Sequence, residues 1–145
     1  MNGQSVPGDV EPDRTKRRRV LVADDHQAML DNLVRLLSRD FEVVAAVADG
    51  GSVLTEAVRV DPDLLVLDIS MPVMGGIAAA GRLKAMGSTA KVVFVTMHHD
   101  REFVQESSAL GTVGFVVKDR LVVDLMPAIH KVFAGEPFVS PSVRR

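Results

Sequence analysis

Leu64, Leu65, Val66 and Leu67 form an apolar run with no polar alternation, and an aspartate, Asp68, ends it. Such a run is the signature of a short strand buried on both faces, as happens when helices cover a parallel sheet on both sides. Met71-Pro72 and Gly75-Gly76 then turn the chain within eight residues of the aspartate. A carboxylate at the carboxyl end of such a strand lies on the rim where open α/β sheets bind ligands. Aspartate also opens turns for purely local reasons. Within this stretch alone, Asp68 reads equally as a turn residue and as a site.

The flanking chain repeats the pattern. Val20 to Ala23 is a second apolar run and ends in Asp24-Asp25; residues 42–48, 91–96 and 113–117 supply three more strands. Between them Leu30, Leu33, Val34 and Leu37 recur at helical spacing, which predicts a helix over 26–39. Further helices are predicted over 51–60, 77–86 and 100–110. Asp61-Pro62 closes the first of these, because a residue before proline avoids the helical region. Gly81 weakens the second by up to about 1 kcal/mol relative to alanine, and Asp100 and Gly111 cap the third. Pro127 places the start of the last helix at 123 or 124, since first-turn amides have no partner to lose. Gly135 ends it, and 136–145 reads as an extended tail or the start of a linker. Strand and helix thus alternate five times. The expected fold is α/β, a flavodoxin-like doubly wound five-stranded parallel sheet in the order 2-1-3-4-5 with helices on both faces.

Composition narrows the rest. A chain of 145 residues with 47% hydrophobic content supports one domain with a sizeable core, here residues 18–135. Residues 1–17 lack periodicity and read as a disordered tail, in which the basic run Arg14 to Arg19 is a solvated junction. The net charge of -2 argues against nucleic-acid binding by the chain as a whole. The absence of cysteine removes disulfides, thiolate metal sites and a cysteine nucleophile. No apolar run approaches the roughly 18 residues of a membrane span, and the polar N-terminus has no signal-peptide core. The expectation is a cytoplasmic protein with no membrane partner.

Four strands finish in polar residues of different chemistry: Asp24-Asp25, Asp68, Thr96 and Lys118. In a parallel sheet these ends share one rim. Three converging carboxylates need a counter-charge, and oxygen-preferring Mg²⁺ is the natural cofactor. A lysine ammonium and a threonine hydroxyl add donors suited to a phosphoryl group. One carboxylate could then act as a nucleophile and form an acyl phosphate.

The segments Val20 to Asp25, Leu65 to Gly76, Val95-Thr96 and Phe115 to Lys118 resemble the receiver domain of bacterial two-component response regulators. The resemblance covers about residues 18 to 135. The closing Ala134 to Pro141 resembles the subfamily whose receiver continues into a LuxR-type helix-turn-helix domain. The resemblance implies that Asp68 is the phosphoacceptor. It implies that Asp25, Asp68 and the backbone carbonyl of Ser70 bind Mg²⁺, with Asp24 acting through water. Lys118 would pair with the phosphoryl group, Thr96 would hydrogen-bond it, and Phe115 would be the aromatic that rotates inward on switching. A sensor histidine kinase is the implied partner, with a homodimer on phosphorylation and control of transcription through a DNA-binding domain. Residues 1–145 contain no recognition helix, so this chain itself is not expected to read DNA.

The sequence departs from the family pattern at Asp119, where proline often follows the lysine, and at Ser70, where asparagine is frequent. His98-His99 reads as a solvated loop pair. The competing class is a Mg²⁺-dependent phosphatase acting on external substrates. Asp68-Ile-Ser70 lacks the second aspartate that aspartyl-phosphate hydrolases place two residues on, so chemistry confined to Asp68 is the expectation.

Overall fold

The computed structural model describes residues 17–97 and 101–143. Six parallel strands form one sheet, ordered β2-β1-β3-β4-β5-β6. The strands are β1 Arg19–Ala23, β2 Glu42–Val47, β3 Leu64–Asp68, β4 Lys91–Thr96, β5 Val113–Val117 and β6 Phe138–Val139. The helices between them are α1 Gln27–Leu37, α2 Gly50–Val60, α3 Gly76–Ala85, α4 Arg101–Ser108 and α5 Leu121–Phe133.

The layering follows from the period of two along each strand. Val20 and Val22 of β1 pack into an apolar cluster with Leu33 of α1 and Ile129 of α5. Leu21 and Ala23, on the opposite face, join Val53 of α2 and Leu83 of α3. The central strand β3 is buried along its whole length, as its unbroken apolar run requires. Helix α2 stops at Val60 because Asp61 takes a left-handed conformation, φ 47°, ahead of Pro62. At its other end Asp49 caps it, accepting from the Ser52 amide at 2.7 Å.

Four expectations need revision. The tail after Gly135 contains a sixth strand, β6, paired with β5 through Gly114↔Phe138 and Phe115↔Val139, and then a 3-10 turn over Pro141–Val143. Helix α5 begins at Leu121, directly after a 3-10 turn over Lys118–Arg120. Leu121 is 3% exposed in the α1/α5 cluster, so burial draws the start back from 123 or 124. Pro127 is therefore inside the helix, on its exposed side, and the carbonyl that loses a donor belongs to the exposed Val123. Finally, the end of the basic run is not solvated tail. Arg17 Nη1 donates to the Ser38 carbonyl at 2.9 Å, and Arg18 lies 3.8 Å above the Phe133 ring. Arg19 opens β1, its amide donating to Asp63 Oδ2 at 2.8 Å. The expected disorder of 1–16, His98, His99 and the Asp100 cap lie outside the described residues.

Candidate functional site

Parallel register brings the polar strand ends together. Ala23 pairs with Leu67, Asp68 with Val95 and Thr96 with Val117, so Asp24, Asp68, Thr96 and Lys118 stand along one rim. The chain must turn away sharply after β3, and Gly76 makes that possible. A Cβ there would lie 2.1 Å from the Asp68 carbonyl oxygen, and the Gly76 amide instead donates to the Ile69 carbonyl at 2.9 Å. In the same loop Val73 has φ 71° and Met74 donates to the Pro72 carbonyl at 2.7 Å, a tight γ-turn unusual for a β-branched residue.

Lys118 organises the centre. Its Nζ lies 2.7 Å from Asp24 Oδ2 and 3.1 Å from Asp68 Oδ2. All three residues are buried, with Asp24 at 0% exposure. The Asp24 contact is a short, fully buried ion pair. Asp24 Oδ1 accepts from the His26 amide at 2.9 Å, and Asp68 Oδ1 from the Ser70 amide at 3.2 Å. Asp25 is exposed at the mouth, 3.3 Å from His26 Nδ1. Burial, and then the Asp24 charge, push the Asp68 carboxyl above its usual 3.8, against the pull of Lys118 and the Ser70 amide. Burial alone would lower the Lys118 ammonium. The two aspartates outweigh it and hold the group above 10.5.

Donor atoms of Asp24, Asp25, His26 and Asp68 all lie within 4.8 Å of one another. Two buried carboxylates share a single lysine, and the carboxylate of Asp25 lies in the same cluster. This oxygen-rich, over-negative set suits a hard divalent cation. Ser70 is exposed beside Asp68. Thr96 is fully buried at the end of β4, and Phe115, 1% exposed, lies between Phe94 and Val139. No cis peptide occurs among the described residues, the step after Lys118 included.

Sequence reasoning did not find Ser140 or Asp124, both buried polar residues beside the end of β5. The only signal was Ser140 between Phe138-Val139 and Pro141, a pattern too short to mark a strand end.

A doubly wound parallel sheet with an acidic pocket and a bridging lysine at its carboxyl rim is what a receiver domain would present. The chain belongs to the response regulator receiver domain family, whose model matches residues 20–130. It is 32% identical over 127 residues to the response regulator GacA of Pseudomonas viridiflava, covering 86% of this chain and 59% of that protein. It is 29% identical over 126 residues to the nitrate/nitrite response regulator NarL of Escherichia coli K12, covering 86% and 58%. The chain thus spans just under three-fifths of the length of these curated relatives. A LuxR-family two-component response regulator from Aurantimonas sp. SI85-9A1 has a similar structure, with TM-score 0.82, 29% identity and coverage of 88% and 93%. The signal receiver domain of the response regulator NarL from Mycobacterium tuberculosis matches at TM-score 0.77 with 28% identity, covering 83% and 99%. No helix among the described residues is long and apolar enough to cross a membrane.

Proposed function

We propose that this chain accepts a phosphoryl group on Asp68 from a sensor histidine kinase and passes the change to its partner surface. The observation that carries the reading is Lys118 Nζ, held between Asp24 Oδ2 and Asp68 Oδ2 in a pocket with surplus negative charge. Asp24, Asp25 and Asp68 would hold Mg²⁺, with the Ser70 carbonyl beside them. When bound, the ion supplies charge neutralisation for phosphoryl oxygens.

The chain's own residues do the rest. An Asp68 carboxylate oxygen attacks phosphorus, a new O–P bond forms, and the P–N bond to the donor imidazole breaks, with the electron pair leaving on that nitrogen. The product is an acyl phosphate. Lys118 offsets the charge on the transferred group, and the Thr96 hydroxyl donates to one of its oxygens. Phe115, paired with Val139 of β6, carries the change to that edge of the sheet. Chemistry is confined to Asp68 itself, with no turnover of an external ester. The similarity to LuxR-family regulators supports a cytoplasmic transcriptional regulator that acts through a DNA-binding domain and pairs with a second copy when phosphorylated. This chain itself does not bind DNA.

Incubation with Mg²⁺ and acetyl phosphate, followed by intact-mass measurement, tests the reading. One adduct of about 80 Da is expected, in line with an aspartyl phosphate. Undiminished labelling of Asp68→Asn would show that the acceptor is elsewhere.

A further inference from the structure

The segment after α5 is tied to β5 by strand pairing and, at the end of β5, by one buried hydroxyl. Strand β6 has only two residues, and Pro141 then turns the chain away. Ser140, at 0% exposure, extends the ladder by one bond, its amide donating to the Phe115 carbonyl at 2.9 Å. The Val117 amide, next along that edge, needs the carbonyl that a longer strand would supply. It finds the Ser140 hydroxyl instead, at 3.0 Å. That hydroxyl donates its single proton to Asp124 Oδ2 at 2.8 Å, which leaves a lone pair facing Val117. Arg120 grips the same carboxylate at 2.8 and 3.3 Å. Val143, 3% exposed, packs in the same apolar cluster as Phe115.

Lys118 therefore starts a turn fixed at both ends by one network. Val117 is held by Ser140, Arg120 is held by Asp124, and Ser140 and Asp124 hold each other. We propose that Ser140 is a positioning residue for Lys118: the C-terminal segment sets the aim of the ammonium at Asp24 and Asp68. The proposal rests on the phosphoacceptor reading of Asp68. Its reason is geometric, because misplacing a reacting centre's partner by about 1 Å costs on the order of 100-fold in rate. Coupling is reciprocal in equilibrium terms, so whatever occupies the pocket and moves Lys118 also acts on β6.

The test uses the whole chain as wild type, Ser140→Ala and Ser140→Thr. The NMR signal of the Lys118 side chain is recorded without metal, and the rate of phosphoryl uptake from acetyl phosphate is measured with Mg²⁺. Ser140→Ala should displace the Lys118 signal and slow uptake at least tenfold, while the rise in melting temperature on adding Mg²⁺ stays as in wild type. Ser140→Thr, which keeps the hydroxyl, should restore both. If the Val117 amide of Ser140→Ala loses its exchange protection while either the Lys118 signal or uptake stays at wild-type value, the proposal is overturned. Should Ser140→Ala not fold, Asp124→Asn gives the same readouts with a smaller displacement expected in the same direction, and no displacement overturns the proposal. A wild type that takes up no phosphoryl group sinks the phosphoacceptor reading instead, and the Lys118 signal alone then decides the role of Ser140.

Discussion

Helices α4 and α5 both pack against β5, yet they are held very differently. Helix α5 buries Leu121, Leu125, Ala128, Ile129 and Val132 along one stripe, with buried Asp124 in its first turn. In α4, Arg-Glu-Phe-Val-Gln-Glu-Ser-Ser, the only buried residue is Ser107, and Phe103 and Val104 are half-buried. Burial stabilises by roughly 25 cal/mol per Å² of apolar surface, so α5 is anchored and α4 is lightly attached. A displacement at Thr96 or Lys118 meets little resistance toward α4 and much toward α5. Under the phosphoacceptor reading, α4 is the side where a signal is cheap to express, and α5 is the frame against which it moves.

The largest expected effect is the contrast in truncation. Ile129→Ala removes a fully buried side chain and should cost about 2–5 kcal/mol. Val104→Ala should cost less than about 1 kcal/mol, because its surroundings are already half open. Urea unfolding of both variants measures this directly, and equal losses would erase the distinction between the helices.

Pro127 sharpens the same contrast from the other direction. It interrupts α5 on the exposed side, so Pro127→Ala should restore the bond to the Val123 carbonyl. Part of that gain is lost to the freer unfolded chain. A net stabilisation of about 1–2 kcal/mol in the same urea assay is expected. No gain would mean that the helix has already relaxed around the proline.

Amide exchange reads the two helices within one molecule. Amides of α4 should open at least tenfold more readily than those in the middle of α5, a difference of about 1.4 kcal/mol. Matching protection across both helices would make α4 part of the same cooperative unit as α5, despite its composition.

These differences also explain what the sequence disclosed. Strands β4 and β5 end where their apolar runs end, at Thr96 and Val117, because burial on both faces leaves no polar position to blur the boundary. The rim was legible for the same reason: a polar residue closing a buried parallel strand has few places to point. Two features were not legible. The start of α5 depended on Leu121 finding the core across the sheet, a tertiary effect that outweighed the local signal of Pro127. Strand β6 has two residues, too few for a period of two to show. The Ser140–Asp124–Arg120 network follows from that strand and was hidden with it.

The smallest expected effect lies at the rim, where Asp68 ends β3. Asp68 has its carboxyl raised above 3.8 by burial and by Asp24, so the native state binds this proton more readily than the unfolded chain does. A carboxyl raised in this way adds stability when protonated. That stability is complete below 3.8 and is lost as pH rises through the higher folded value. At neutral pH, without metal, the ionised Asp68 is thus a burden on the fold, and Asp68→Asn should melt a few degrees higher than wild type. The advantage should shrink on acidification and vanish near or below 3.8, where both side chains are neutral. The comparison stays well below 10.5, because Lys118 is held above that value by Asp24 and Asp68 and its contribution is lost as pH rises through its raised folded value. Divalent metal should reverse the order, since a cation bound by the carboxylates stabilises only the ionised wild type by mass action. Melting curves at several pH values, with and without Mg²⁺, give all of these signs at once. If the Asn variant melts below wild type in metal-free neutral buffer, then Lys118 stabilises the Asp68 carboxylate by more than burial and Asp24 oppose it, and the pocket is not poised for a cation.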